Sequence, residues 1–195
     1  MEPVFTLPYS EYGAANLLSQ YFKRSHGYSI FVPASRQEKG VDLLLAKRSG
    51  SRTAIVTFQV KSSRTYSRPQ PKRSNTAHFA YYTWFNRFRV AREADFYILF
   101  GLYPPEEGRT KKSAASWWSA MVLLFSREDM RRFVASVKTK GGKPDNMFGF
   151  GFNDPTAVFL TRGHRKLRTV DYTQHVLSNK LPEVRSRLQS RLRDS

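Results

Sequence analysis

Cysteine is absent from all 195 residues, which excludes disulfides, thiolate metal sites and cysteine nucleophiles. A reducing cytoplasm is compatible with that absence. Long apolar runs are missing as well. None approaches the ~20 residues of a membrane span, and the longest, Trp117 to Phe125, has the length of a strand. The first residues, Met1-Glu-Pro-Val-Phe-Thr-Leu-Pro8, lack the basic region and apolar stretch of a signal peptide. The expectation is a cytoplasmic chain without a membrane partner. His26, His78, His164 and His175 show no metal-ligand spacing. No Gly-x-Ser-x-Gly elbow occurs. Gly149-Phe-Gly151 lacks the strand-to-helix context and the following Gly-Lys-Ser/Thr of a phosphate cradle, so no small-molecule cofactor is expected.

Acidic residues are scarce. There are 15 Asp+Glu against 33 Lys+Arg, a net charge of +18. From Leu43 to Arg92 there are eleven basic residues and no acid; from Arg162 to Ser195 there are nine basic residues and three acids. So one-sided a field points to nucleic acid as the partner. Hydrophobic residues at 40% and aromatics at 14% make this a folded chain and not a basic disordered tail. The length favours one domain spanning 1–195.

Apolar spacing at Ala14, Leu17, Leu18, Tyr21 and Phe22 predicts a first helix from Glu11 to about Arg24, with Ser10 as its N-cap. Strands are expected at 28–32, 41–47 and 53–62, the last two forming a hairpin around Ser49-Gly-Ser51. Phe79 to about Arg89 reads as a helix with an aromatic core face. Strands follow at 95–103 and 117–125, then a helix from Ser126 to about Lys138 with acids in its first turn. Lys140 to Asp154 is expected to be a Gly-rich loop, 157–161 a short strand, and 170–192 largely helical with a break near Pro182. This order makes the fold class α/β or α+β, a sheet with helices on its faces.

Three polar residues interrupt the buried-strand patterns. Asp42 lies in Gly40-Val-Asp-Leu-Leu-Leu45, and Gln59 and Lys61 lie in Ile55-Val-Thr-Phe-Gln-Val-Lys-Ser62. Charge inside such runs is uncommon without a reason. Gln59 and Lys61 are two apart, so they share one face with Ile55 and Thr57, while Val56, Phe58 and Val60 take the other. In the simplest hairpin register Asp42 falls beside them, and Glu11 at the start of the first helix is within reach. A carboxylate, an amide oxygen and an ammonium suit a hard cation bound beside a phosphodiester. Read singly, each residue is ordinary: a turn aspartate, a strand-end lysine, a glutamine satisfying a backbone group.

The order of these features resembles the PD-(D/E)XK nuclease superfamily, whose restriction-endonuclease-like fold is a central mixed β-sheet flanked by helices with an α-β-β-β-α-β core. The resemblance covers about residues 1–125, including Ala94-Asp-Phe-Tyr-Ile-Leu-Phe100 as the strand after the core helix; 126–195 is left as a helical and loop extension. It implies a metal-dependent endonuclease hydrolysing DNA, using Mg²⁺ for which Mn²⁺ substitutes. It assigns Asp42 as the metal-binding aspartate, Gln59 as the second acidic position, Lys61 as the lysine and Glu11 as the helix glutamate. Val41 stands where proline is usual and Gln59 where an acid is usual. The resemblance therefore also admits a catalytically impaired DNA-binding module, and charge alone admits a basic RNA-binding or ribosome-associated protein. Arg64, Arg68, Lys72, Arg73, Arg87 and Arg89 are the expected nucleic-acid contacts, with Arg185, Arg187, Arg191 and Arg193 as a second set. A homodimer is expected from the two-strand cleavage such small enzymes perform.

Overall fold

The computed structural model describes residues 9–33, 40–67, 79–103, 119–164 and 170–194. Helix α1 (Tyr9–Tyr21) is followed by a 3₁₀ turn, Arg24–His26, closed by Gly27. Strands β1 (Tyr28–Phe31), β2 (Leu43–Ser49), β3 (Arg52–Ser67), β4 (Tyr81–Asn86), β5 (Phe96–Tyr103) and β6 (Ser119–Ser126) come next. Then follow α2 (Arg127–Ser136), β7 (Met147–Phe152), β8 (Val158–Arg162), β9 (Val170–Asp171), a 3₁₀ turn (Thr173–His175) and α3 (Leu177–Asp194). The fold is mixed α+β, a large and mostly antiparallel sheet with three helices among the described residues.

The sixteen-residue strand β3 organises the molecule. Its first part pairs antiparallel with β2, from Ser49↔Arg52 to Leu43↔Phe58, and parallel with β5, from Phe58↔Phe96 to Arg64↔Leu102. Its last three residues pair with β4, which continues into β7, β8 and β9. Thus β3 belongs to two half-sheets and turns the corner between them. The expected hairpin register and the expected division of β3 into two faces both hold.

Each half-sheet face has its own core. Val56, Phe58 and Val60, with Leu43, Leu45, Phe96, Ile98 and Phe100, pack under Ala14, Leu18 and Phe22 at α1 and under Leu181, Val184 and Leu188 of α3. On the opposite face Tyr97, Leu99, Leu123 and Phe125 meet Phe85, Phe148 and Phe150 from the second half-sheet and Met130 and Phe133 from α2. Ser126 caps α2, accepting a hydrogen bond from the Asp129 amide at 3.2 Å.

Four expectations are corrected. The segment 79–89 holds strand β4 (Tyr81–Asn86), not a helix: Tyr81, Thr83 and Phe85 point inward while Tyr82 and Trp84 alternate outward, the period of a pleated strand. Among the described residues the element between β3 and its parallel neighbour β5 is thus a strand, where the α-β-β-β-α-β order has a helix. The expected loop 140–154 contains β7, because Phe148, Phe150 and Phe152 bury one face and Gly149 and Gly151 take the other. The C-terminal extension therefore adds three strands and not helices and loops alone. The N-terminal helix begins at Tyr9, which puts Ser10 inside it, and α3 runs unbroken through Pro182.

His175 should make the fold acid-sensitive. It is buried, stacks on Phe125 at 4.1 Å between centroids, and its Nδ1 lies 3.3 Å from the Leu124 carbonyl. Burial holds its pKa below the usual imidazole range, and nearby Lys180 pushes the same way against Asp129 and Glu183. A depressed folded pKa means that its stabilising share is complete above the unfolded value of about 6.5. It is lost as pH falls towards the folded value. The melting temperature should fall from pH 8 to pH 5.5, and His175→Phe should flatten that slope. A slope unaltered in the variant refutes His175 as its source.

Candidate functional site

Asp42 sits where the chain enters β2. Its amide donates to the Phe58 carbonyl at 2.8 Å, and its Oδ2 accepts from the Val60 amide at 2.7 Å. The carboxylate thus takes the place of a ladder acceptor just before β2 begins. Extending the β2–β3 register by one residue sets Asp42 opposite Gln59, on one face. Lys61 is two residues on from Gln59 and shares that face. Its Nζ lies 5.6 Å from the Phe88 ring centroid, and Phe88 stacks on Tyr97 at 5.8 Å. Tyr97 is the parallel register partner of Gln59. Asp42, Gln59, Lys61, Phe88 and Tyr97 therefore form one cluster on the sheet.

Gln59 is only 8% exposed, and its Oε1 has no hydrogen-bond partner among the described residues. An orphaned buried acceptor costs about 1–3 kcal/mol. Lys61 is half-buried and forms no ion pair among the described residues. An unmatched acceptor and an unmatched cation stand side by side, the condition expected of groups that await a ligand.

Sequence reasoning missed Glu93 and Tyr97. Gly40 has φ +92°, and a Cβ there would fall 2.6 Å from the Ala91 Cβ, 3.5 Å from Glu93 Oε2 and 3.9 Å from Gln59 Nε2. Bare glycine lets the 91–93 segment close over the entrance to β2 and brings the Glu93 carboxylate beside the Gln59 amide. The Tyr97 hydroxyl donates to the Ala91 carbonyl at 3.0 Å. Burial raises its pKa, and the negative charges of Glu93 and Asp42 raise it further against Arg127, so the phenol keeps its proton at neutral pH. Glu93 is the first acid after the long basic stretch. Its arrival here depends on the parallel pairing of β5 with β3, which no local pattern announces.

Glu11 stands apart. It lies in the first turn of α1, whose buried residues pack on the Val56, Phe58 and Val60 face, across the sheet from Gln59 and Lys61. Arg64 is exposed and, by alternation, on the opposite side of β3 from Lys61. Arg87 and Arg89 are exposed and flank Phe88, beside the cluster. Arg68, Lys72 and Arg73 lie outside the described residues. The second basic set is largely occupied within the fold. Arg191 holds Asp95, Arg185 lies over the Phe22 ring at 5.5 Å, and Arg187 is 3.9 Å from Glu128.

The donor set around Gln59 is oxygen only: the Asp42 and Glu93 carboxylates and the orphaned amide oxygen. It fits a hard divalent cation of the Mg²⁺ type. Among the described residues no three His, Cys, Asp or Glu side chains gather into one metal-binding group. Such an ion would keep most of its shell as water and phosphate oxygen, a common Mg²⁺ arrangement. Among the described residues, no helix is long and apolar enough to cross a membrane. Compared with protein-family models, with curated proteins and with solved structures, the chain gives no match in any of the three.

Proposed function

We propose that this protein is a metal-dependent endonuclease of the PD-(D/E)XK type that hydrolyses DNA phosphodiesters. The observation that carries the reading is the orphaned Gln59 Oε1, flanked by Asp42 at the entrance to the neighbouring strand and by Lys61 on its own, which forms no ion pair among the described residues. The mixed pairing of β2, β3 and β5 supports it, as does the +18 charge. Asp42, Gln59 and Glu93 would hold Mg²⁺ or Mn²⁺, which when bound lowers the pKa of water and neutralises a phosphate oxygen. Lys61, held against Phe88, offers N–H donors to the phosphoryl oxygens as their charge grows. The Gln59 oxygen accepts a hydrogen bond from a water and orients it. Arg87 and Arg89 border the site and bind flanking phosphates. Plasmid nicking in Mg²⁺ or Mn²⁺ tests this reading. The neutral Gln59 favours one rival, a module that binds DNA without cutting it; tight binding with no nicking in either metal would establish that rival.

Gln59→Glu tests the metal without measuring cleavage. A buried third carboxylate beside Asp42 and Glu93 adds repulsion that the single ammonium of Lys61 does not offset. In EDTA the variant should melt about 5–10 °C below the wild type, from ~2–3 kcal/mol at ~2–4 °C per kcal/mol. Millimolar Mn²⁺ should restore most of that loss, because a cation binding only the folded state stabilises it. A melting temperature indifferent to Mn²⁺ would remove the cation from this site.

A further inference from the structure

We propose that the outer face of the β4–β7–β8 half-sheet is a stacking platform for the unpaired bases of single-stranded nucleic acid. Half of the aromatic residues of this half-sheet point away from the core. Tyr66 contacts Trp84 at 5.5 Å between centroids, and Trp84 stacks on Tyr82 at 5.9 Å and 12°. Tyr82 meets Phe79 at 6.0 Å, and Phe79 stacks on Phe159 at 5.3 Å and 22°. None of these five rings belongs to either core cluster. They form a row of rings across four strands; Phe79 and Tyr82 are buried within it, and the row opens at the Tyr66 end, where that residue is 54% exposed.

The row lies on bare backbone. A Cβ at Gly149 would fall 2.4 Å from Trp84 Cδ1, and one at Gly151 would fall 2.4 Å from Phe79 Cδ2. With glycine at both positions the rings press one side against β7. Half-buried Trp84, next to exposed Tyr66, is left to present its other side. A flat aromatic surface is sequence-tolerant towards bases, because every base has a π-face. Charge selects the occupant. Arg64, exposed and on the same side of β3 as Tyr66 by alternation, forms no ion pair among the described residues. All of β3 and β4 falls within the stretch that carries no acid. Aromatic rings beside an unneutralised guanidinium match a polyanion whose bases are free to stack. A duplex keeps those faces stacked on one another. The platform lies across β3 from Lys61, so it binds independently of the proposed cleavage.

The test measures the affinity of the full chain for a labelled single strand and for its duplex, by fluorescence anisotropy in EDTA. Chelation keeps cleavage out of the result, and the outcome is separable from that of plasmid nicking. Tyr66→Ala, at an exposed position that leaves both cores intact, should weaken single-strand binding about tenfold, within the range for one lost base stack. Duplex affinity should stay within about twofold, and the dependence of affinity on salt should keep its slope, since no phosphate contact is lost. Tyr66→Phe should bind like the wild type. Wild-type affinity in Tyr66→Ala would overturn the proposal. So would an equal loss on single strand and duplex, or a loss in Tyr66→Phe as large as in Tyr66→Ala.

Discussion

Replacing Lys61 with alanine should lower DNA cleavage by at least about 10²-fold, the scale of losing one positioned donor to developing charge. Affinity for DNA should change by no more than about threefold, because one ammonium among 33 basic residues contributes little to overall attraction. Asp42 calls for two variants, because it has a structural task as well as a chemical one. Its Oδ2 satisfies the Val60 amide, so Asp42→Ala orphans a backbone donor and should cost about 1–3 kcal/mol of stability. Asp42→Asn keeps an oxygen in the same place and removes only the charge. It should fold within about 1 kcal/mol of the wild type and yet lose cleavage as fully as Lys61→Ala. Plasmid nicking beside thermal melting separates the two tasks. Wild-type cutting rates in both Asp42→Asn and Lys61→Ala would place the chemistry elsewhere in the molecule.

A second large effect is expected at Asp95, remote from phosphate but tied to the same site. Its carboxylate accepts from the Thr57 amide at 3.0 Å and from Arg191 Nη1 and Nη2 at 2.8 and 2.6 Å. Arg191 also donates to the Ile55 carbonyl, and the Thr57 hydroxyl donates to the Glu93 carbonyl at 2.6 Å. One side chain thus joins the end of α3, the middle of β3 and the segment that carries Glu93. The Asp95 side chain is 10% exposed and that of Arg191 is 41% exposed, so water compensates the arginine and not the Thr57 amide. Asp95→Ala should cost about 2–4 kcal/mol and lower the melting temperature by ~6–12 °C. Arg191→Ala leaves Asp95 its Thr57 donors and should cost about half as much. Lysine at 191 cannot reproduce the forked contact and should behave like alanine. Equal losses from Asp95→Ala and Arg191→Ala would show that the arginine, and not the Thr57 amide, dominates. Asp95→Ala should also weaken the Mn²⁺ response of Gln59→Glu, because Asp95 positions Thr57, whose hydroxyl holds the Glu93 carbonyl.

Much of the candidate site was legible because strand periodicity is strict. A two-residue repeat sends Gln59 and Lys61 one way and Val56, Phe58 and Val60 the other, and a short Gly/Ser turn leaves one simple register for Asp42. Segment 79–89 misled for a related reason. Its aromatics occur on both faces, so neither period stands out from composition, and only pairing with β3 and β7 makes it a strand. Glu11 was placed near the site by its order in the chain. Helices choose a face of the sheet through their apolar stripe, and α1 chose the other one.

The sequence by itself determined the charge, the hairpin, and the face shared by Asp42, Gln59 and Lys61, since each follows from local alternation and composition. Tertiary structure alone decided that β5 runs parallel to β3 and brings Glu93 and Tyr97 beside Gln59, and that Arg191 folds back on Asp95. It also decided that Tyr66 and Trp84 face outward together. Contacts between residues far apart in the chain depend on which strands pair and which helix covers which face. That choice is settled by the packing of whole surfaces, and no short window of residues contains it.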